Sequence, residues 1–406
     1  MDNATVTELQ AGTDAAESRW IQIAEQLLEQ PTAPYRESLP QGMIRSFCRG
    51  RPALKLEEDL SGNLLVKYSA GDVKFPPLVL VAHLDHPGFW VDEVSGGETK
   101  LTFKGGVSAP HARLGSRIQF FEHGNPRPVG HGMLSSITQE KERLTGATAH
   151  VNEGYAVANG FAMWDFAGFA LCNGLIVSRC CDDLLGASAA LAVLDELATV
   201  KPDGVAVWGL FTRAEEVGFL GALEAIRHQL IPKDASILSL ECSKALPSAP
   251  QGEGVIVRVG DRASIFDPHL TAALCVAAES VKKKVPGFKY QRKLMDGGAC
   301  EATAFCAYGY RASGLAVPLG NYHNQGVDTN FKATIGPESV RQSDFNCEVR
   351  LLIELALQPS LLDRNANFNP DWLAERAKTA ENELGNTRTR PAPSSPTDMY
   401  GKLSGS

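Results

Sequence analysis

The chain has 406 residues, 44% of them hydrophobic, and a formal net charge of -8. That length can bury one large core and a smaller second domain, while the negative balance argues against nucleic acid, which selects basic surfaces. No apolar run approaches the ~18 residues of a membrane span, and the nine cysteines, scattered except for Cys180-Cys181, do not make a disulfide framework.

The start, Met1-Asp2-Asn3-Ala4-Thr5, lacks the basic and apolar parts of a signal peptide, so a soluble cytoplasmic protein is expected. Residues 15–30 read as a helix. Residues 77–82 are a buried-strand run that delivers His83-Leu84-Asp85 into a turn at Pro87-Gly88. An aspartate two residues beyond a histidine can fix its tautomer and raise its basicity as a ligand. From 88 to 171 the pattern changes to short alternating strands broken by Gly and Pro, at 100–104, 117–122, 130–135 and 142–148, which predicts an all-β insert. Its outer strands would present edges that self-association covers.

Residues 176–178 lead to Asp182-Asp183, with a small-residue, helix-forming stretch at 186–194. The apolar run 205–211 leads to Thr212-Arg213-Ala214-Glu215-Glu216-Val217-Gly218 and a helix at 219–228. Residues 236–240 lead to Glu241. A helix from Pro268 ends in Lys282-Lys283-Lys284, where cations complement the dipole. Residues 314–319 lead to Gly320-Asn321-Tyr322-His323, and 344–357 read as a helix. Beyond Gln358-Pro359 the composition turns polar, so residues 359–406 are expected to be a disordered tail.

His83, Asp182, Glu216, Glu241 and His323 thus each follow their own apolar run, at the strand ends where doubly wound sheets place ligands. Singly, each has an ordinary explanation: a structural histidine, an N-cap, an acidic first turn. Jointly, two histidines, three carboxylates and a spare Glu215 form the ligand set of a two-metal hydrolase, whose ions about 3.5–4 Å apart activate a shared water and clamp the reacting carbonyl. Adjacent residues project differently, so Glu216 can be a ligand while Glu215 acts as base. Nitrogen and oxygen ligands suit Zn, Co or Mn. Cys181 and Cys242 are alternative soft ligands.

Val81-Ala82-His83-Leu84-Asp85, Cys181-Asp182-Asp183, the segment from Thr212 through Glu215-Glu216-Val217-Gly218 to Gly221-Ala222, and Tyr322-His323 look like signature segments of a known family. With Asp59-Leu60-Ser61-Gly62-Asn63 and Asn173-Gly174-Leu175 added, residues 15–357 resemble the glutamyl-aminopeptidase and tetrahedral-aminopeptidase family of co-catalytic di-zinc metallopeptidases. The resemblance implies an α/β fold: a doubly wound, mixed-sheet catalytic domain of the zinc-peptidase type in two parts, 1–87 and 172–358, with a small β-barrel domain inserted at 88–171. It implies two divalent metal ions, with His83, Asp182 and Glu241 on one and Asp182 bridging to a second held by Glu216 and His323. Glu215 would be the general base, Asp85 would orient His83, and the Asp182-Asp183 peptide would be cis. It also implies a homo-oligomer assembled through the β insert.

Three positions depart from the family pattern. Glu241 stands where the family more often has Asp, and Leu184-Leu185 stands where many relatives have a basic residue. Met295-Asp296-Gly297-Gly298-Ala299-Cys300-Glu301-Ala302 resembles the family's Gly-Gly segment with irregular spacing, which makes Glu301 either a contact for the substrate amine or a surface helix cap.

The expected function is a di-metal aminopeptidase acting on short peptides. The alternatives are a deacylase or carboxypeptidase-type enzyme on acyl amino acids, and a metal-free binding or scaffold protein. A glycosidase working through Glu215 would leave both histidines unexplained.

Overall fold

Four apolar runs become the parallel centre of one large sheet. Val205–Thr212, Leu78–His83, Ser236–Lys244 and Arg311–Gly320 lie side by side in that order and point the same way. All six residues of Leu78–His83 are buried. Strands covered on both faces need no polar alternation, which is why these runs read as continuously hydrophobic. The structure is a computed structural model, and it describes residues 3–366, 368 and 371–386.

Antiparallel strands flank this centre and make the sheet mixed. Leu64–Ala70 and Lys55–Glu58 extend it beyond Val205–Thr212. On the other side follow Glu338–Arg341, Leu175–Ser178 and Ala170–Cys172, while Val255–Asp261 and Tyr290–Met295 branch from Arg311–Gly320. Two antiparallel steps return Leu175–Ser178 to the direction of the central strands. Asp182 therefore emerges at the same sheet edge as His83 and Glu215. The helix Leu184–Val200 is buried almost all round, through Leu197, because its small and aliphatic residues leave no polar face. It packs against the helices Asn3–Leu28 and Gln342–Ala356 and against Leu78–His83.

Gly88–Ser95, Glu98–Lys104, Arg143–Gly154, Gly130–Glu140, Arg117–Phe121 and Phe161–Trp164 form a closed barrel. Phe89, Phe103 and Trp164 meet edge-on or tilted in its core, with ring centroids 4.8 to 6.3 Å apart. The expectation of exposed outer edges fails here: Gly88–Ser95 pairs with Phe161–Trp164, and closure leaves no edge to cover. The barrel ends at Trp164, and Leu171 already lies in the large sheet.

The chain divides into two compact units, Met1–Arg364 and Asn365–Ser406. Part of the segment expected to be a disordered tail is regular instead, as a 3-10 turn at Pro359–Leu362 and a helix at Asp371–Asn386. The Ala, Glu, Leu and Lys of that helix are strong helix formers even in a polar sequence. Residues 387–406 lie outside the described residues.

Candidate metal centre

Strands of the large sheet that run in one direction deliver the candidate ligands to one place. His83 is the last residue of its strand and pairs in register with Thr212, so the loop after Thr212 starts beside it. Glu241 differs slightly from expectation, because its strand continues to Lys244. His323 sits in the 3-10 turn Tyr322–Asn324 with φ of 54°. Asp182 and Asp183 are joined by a cis peptide.

The side chains converge. Asp182 lies between the two imidazoles, with Oδ1 3.6 Å from His83 Nε2 and Oδ2 3.5 Å from His323 Nε2. Glu216 Oε1 is 3.0 Å from His323 Nε2, and Glu215 Oε2 is 3.8 Å from His83 Nε2. Donor atoms of His83, Asp182 and Glu241 lie within 4.8 Å of one another, as do those of Asp182, Glu216 and His323. Asp182 is common to both groups. A third such group joins His83, Glu215 and Glu216.

Backbone carbonyls set the tautomer of both imidazoles. His83 Nδ1–H donates to the Asp85 carbonyl at 3.0 Å, and His323 Nδ1–H donates to the Gly106 carbonyl, in the barrel, at 2.7 Å. Each Nε2 lone pair is thereby turned toward the carboxylates, as a ligating histidine requires. The Asp85 carboxylate stands farther from His83, at 3.6 Å. Its oxygens instead accept the backbone N–H groups of Glu215, at 2.9 Å, and Glu216, at 3.1 Å.

Further residues hold the site that the sequence reading did not single out. Glu338, fully buried, accepts from the backbone N–H of Cys181 at 2.7 Å, Asp182 at 3.0 Å and His323 at 2.8 Å. His86 donates from Nδ1 to the Asp182 carbonyl at 2.6 Å. Glu37 accepts from the Ala214 N–H at 3.1 Å and from Arg213 Nε at 2.9 Å, bracing the start of the Glu215-Glu216 loop.

Charge in this region is unbalanced. Burial pushes the Glu215 carboxyl well above the usual range, with the charges of Glu216, Glu241 and Glu301 adding to it. Burial likewise raises Glu241, and it pushes Glu338 to about 7. Burial opposes charging His83 and His323, yet the surrounding carboxylates raise both well above the ordinary imidazole value. For Asp182 the two neighbouring imidazoles overcome desolvation and lower its pKa.

These residues fit a divalent cation site on their own terms. Asp182 Oδ1 and Glu216 Oε1 are buried without a hydrogen-bond partner, and excess buried negative charge calls for a counter-charge. Imidazole nitrogens and carboxylate oxygens are ligands for Zn, Co or Mn. Cys242 can approach Asp182 and Asp183 within the same 4.8 Å. Its thiol donates to the Cys181 carbonyl at 3.4 Å, and burial raises both thiols well above their usual value.

Glu301 begins the short helix Glu301–Ala307, but it is buried and not a surface cap. Burial pushes its carboxyl to about 8, against the opposing effects of His83 and Thr212.

A family model described as M42 glutamyl aminopeptidase matches residues 62–330. No curated protein sequence matches the chain. Among solved structures, an aminopeptidase from the archaeon Desulfurococcus kamchatkensis is similar with a TM-score of 0.70 at 18% identity, over 86% of this chain and 98% of that one. The TET1 peptidase of Pyrococcus horikoshii, described as assembling into a tetrahedron or a large octahedral shell, has a TM-score of 0.66 at 19% identity, over 84% of this chain and 99% of that one. An M18-family aminopeptidase from Thermotoga maritima has a TM-score of 0.59 at 14% identity, over 84% and 96%. At such identities the structural likeness establishes the fold, with its large mixed sheet and closed barrel. The family match spans well over half of the sequence and contains every candidate ligand from His83 to His323, and on it the chain belongs to the M42 glutamyl aminopeptidase family.

Proposed function

We propose that this protein is a metal-dependent aminopeptidase that removes N-terminal residues from short peptides. The observation that carries the reading is the pair of ligand groups, His83/Asp182/Glu241 and Asp182/Glu216/His323, which share one buried carboxylate. Two divalent ions, Zn with Co or Mn as substitutes, would be held by these five residues. Such ions lower the pKa of a water and polarise a scissile carbonyl.

The remaining work falls to side chains. Glu215 takes the proton from the attacking water and returns it to the leaving amine, a role supported by its carboxylate lying 3.8 Å from His83 Nε2, beside the ligand groups. Asp85 positions Glu215 and Glu216 through their backbone N–H groups and keeps His83 in the ligating tautomer through its carbonyl. The two glutamates share a donor group with His83, so which of them is ligand and which is base is a division their variants resolve.

We further propose that the chain works as a homo-oligomer assembled through the barrel, in keeping with the tetrahedral and octahedral assemblies described for the Pyrococcus horikoshii peptidase. The test of the activity is a panel of amino-acid anilides, free peptides and N-acyl amino acids after loading with Zn, Co or Mn. Turnover of the first two classes is expected. Turnover of N-acyl amino acids alone would make the enzyme a deacylase.

A further inference from the structure

A groove of about 670 Å³ opens beside Glu216, and barrel residues supply the rest of its wall. Residues 106–108 form one side and residues 140–143, the turn between Gly130–Glu140 and Arg143–Gly154, form the other. The two sides are tied together: Ala109 N–H donates to the Glu142 carbonyl at 2.7 Å, and Leu144 N–H donates to the Val107 carbonyl at 3.0 Å. Arg143 Nη2 donates to the Gly105 carbonyl at 2.9 Å, which fixes the plane of its guanidinium. Among the described residues Arg143 and Lys141 make no ion pair, although Glu140 and Glu142 flank them in the same lining. The groove thus carries in its lining the exposed Arg143 guanidinium, tethered to the Gly105 carbonyl, and Glu216 of the acidic cluster.

This polarity matches a short peptide. Its amine belongs at the acidic cluster, and its only obligatory anion is the carboxylate at the opposite end. A cavity of this size takes a small ligand, within the roughly 300–1,000 Å³ of such sites. Arg presents a planar fork that suits a carboxylate better than a point charge does. We propose that Arg143 recognises the free C-terminal carboxylate of the peptide substrate, which makes the barrel a specificity-determining wall of the site. The inference rests on the aminopeptidase reading and adds the end of the substrate which that reading leaves unread.

The test compares wild type with Arg143→Gln and Arg143→Lys on four substrates: Leu-Gly-Gly as free acid, the same tripeptide C-terminally amidated, leucyl anilide and glutamyl anilide. Losing a charge-assisted hydrogen bond should raise KM of Arg143→Gln for the free acid by roughly 10- to 100-fold. Arg143→Lys should recover part of this. Leucyl anilide and the amide should keep their kcat and KM within about twofold, with unchanged metal content, since neither reaches Arg143 with an anion. A loss confined to glutamyl anilide would overturn the assignment in favour of an acidic N-terminal side chain. Equal losses on all four, or none, would also overturn it. Wild-type turnover of leucyl anilide reports separately on the aminopeptidase reading, and the inference falls if that turnover is absent.

Discussion

The carbonyl of Gly106, in the barrel, lies 2.7 Å from His323 Nδ1 in the catalytic part of the chain. The barrel therefore sets the tautomer of a candidate metal ligand and does more than border the site. Removing residues 88–171 would delete this acceptor along with the groove wall. A variant lacking them, closed by a short linker, is expected to lose metal affinity at His323 as well as assembly. Light scattering of the intact protein should show particles larger than a monomer, and a monomer at micromolar concentration would contradict the proposed assembly.

Base and ligand separate by variant. Glu215→Gln is expected to lose ~10²–10⁴ in kcat while keeping its metal, the usual effect of losing general acid-base help alone. Glu216→Gln, whose parent oxygen lies 3.0 Å from His323 Nε2, should lose metal content. Equal metal loss in both variants would contradict the division.

Glu338 offers a third test. Its carboxylate gathers the N–H groups of Cys181, Asp182 and His323, and so sets the spacing between the bridging carboxylate and one imidazole. Glu338→Gln replaces one accepting oxygen with a donor facing other donors. Chelator competition should show metal affinity weakened by about 10- to 100-fold, the size of effect found for residues that orient ligands. Unchanged affinity in a folded variant would show that this carboxylate does not position the ligands.

A fourth prediction concerns pH. Glu348 is buried with both oxygens unpartnered, and burial pushes its carboxyl to about 8. The unfolded chain ionises it near ~4.3. Between those values the folded state binds the extra proton, so its contribution to stability is fully present below ~4.3 and is lost as pH rises through about 8. Glu348→Gln should therefore gain stability relative to wild type as pH rises across that window, read as a growing difference in urea midpoint. A difference that stays constant from pH 4 to 9 would refute the shift.

Much of this was legible in the sequence because parallel strands buried on both faces leave continuous apolar runs, and the residue that ends such a run projects from one sheet edge. His83, Glu215-Glu216 and His323 follow that rule, while Asp182 follows Leu175–Ser178, a half-buried strand between antiparallel neighbours. Glu241 marks its limit, since Ser236–Lys244 runs on past it. Glu338, His86, Glu37 and Gly106 were not legible, because each acts through contacts made only on folding and none ends an apolar run. The barrel came from the family resemblance and is present; the strand that closes it, Phe161–Trp164, was not legible from its pattern, because its four residues are all buried and show no polar alternation. The helix Asp371–Asn386 differs from the expected disorder because a polar composition does not forbid a helix when its residues favour one on propensity alone.

The central claim is that a metal-loaded site at Asp182 and its neighbours cleaves from the free amino end. The most direct measurement is release of the N-terminal amino acid from Leu-Gly-Gly and from its N-acetylated form, followed before chelation, after chelation and after restoring Zn, Co or Mn. The account predicts release from the free-amine peptide alone, abolished by the chelator and recovered with metal. Release that persists in the stripped protein, or that proceeds equally from the acetylated peptide, would contradict it.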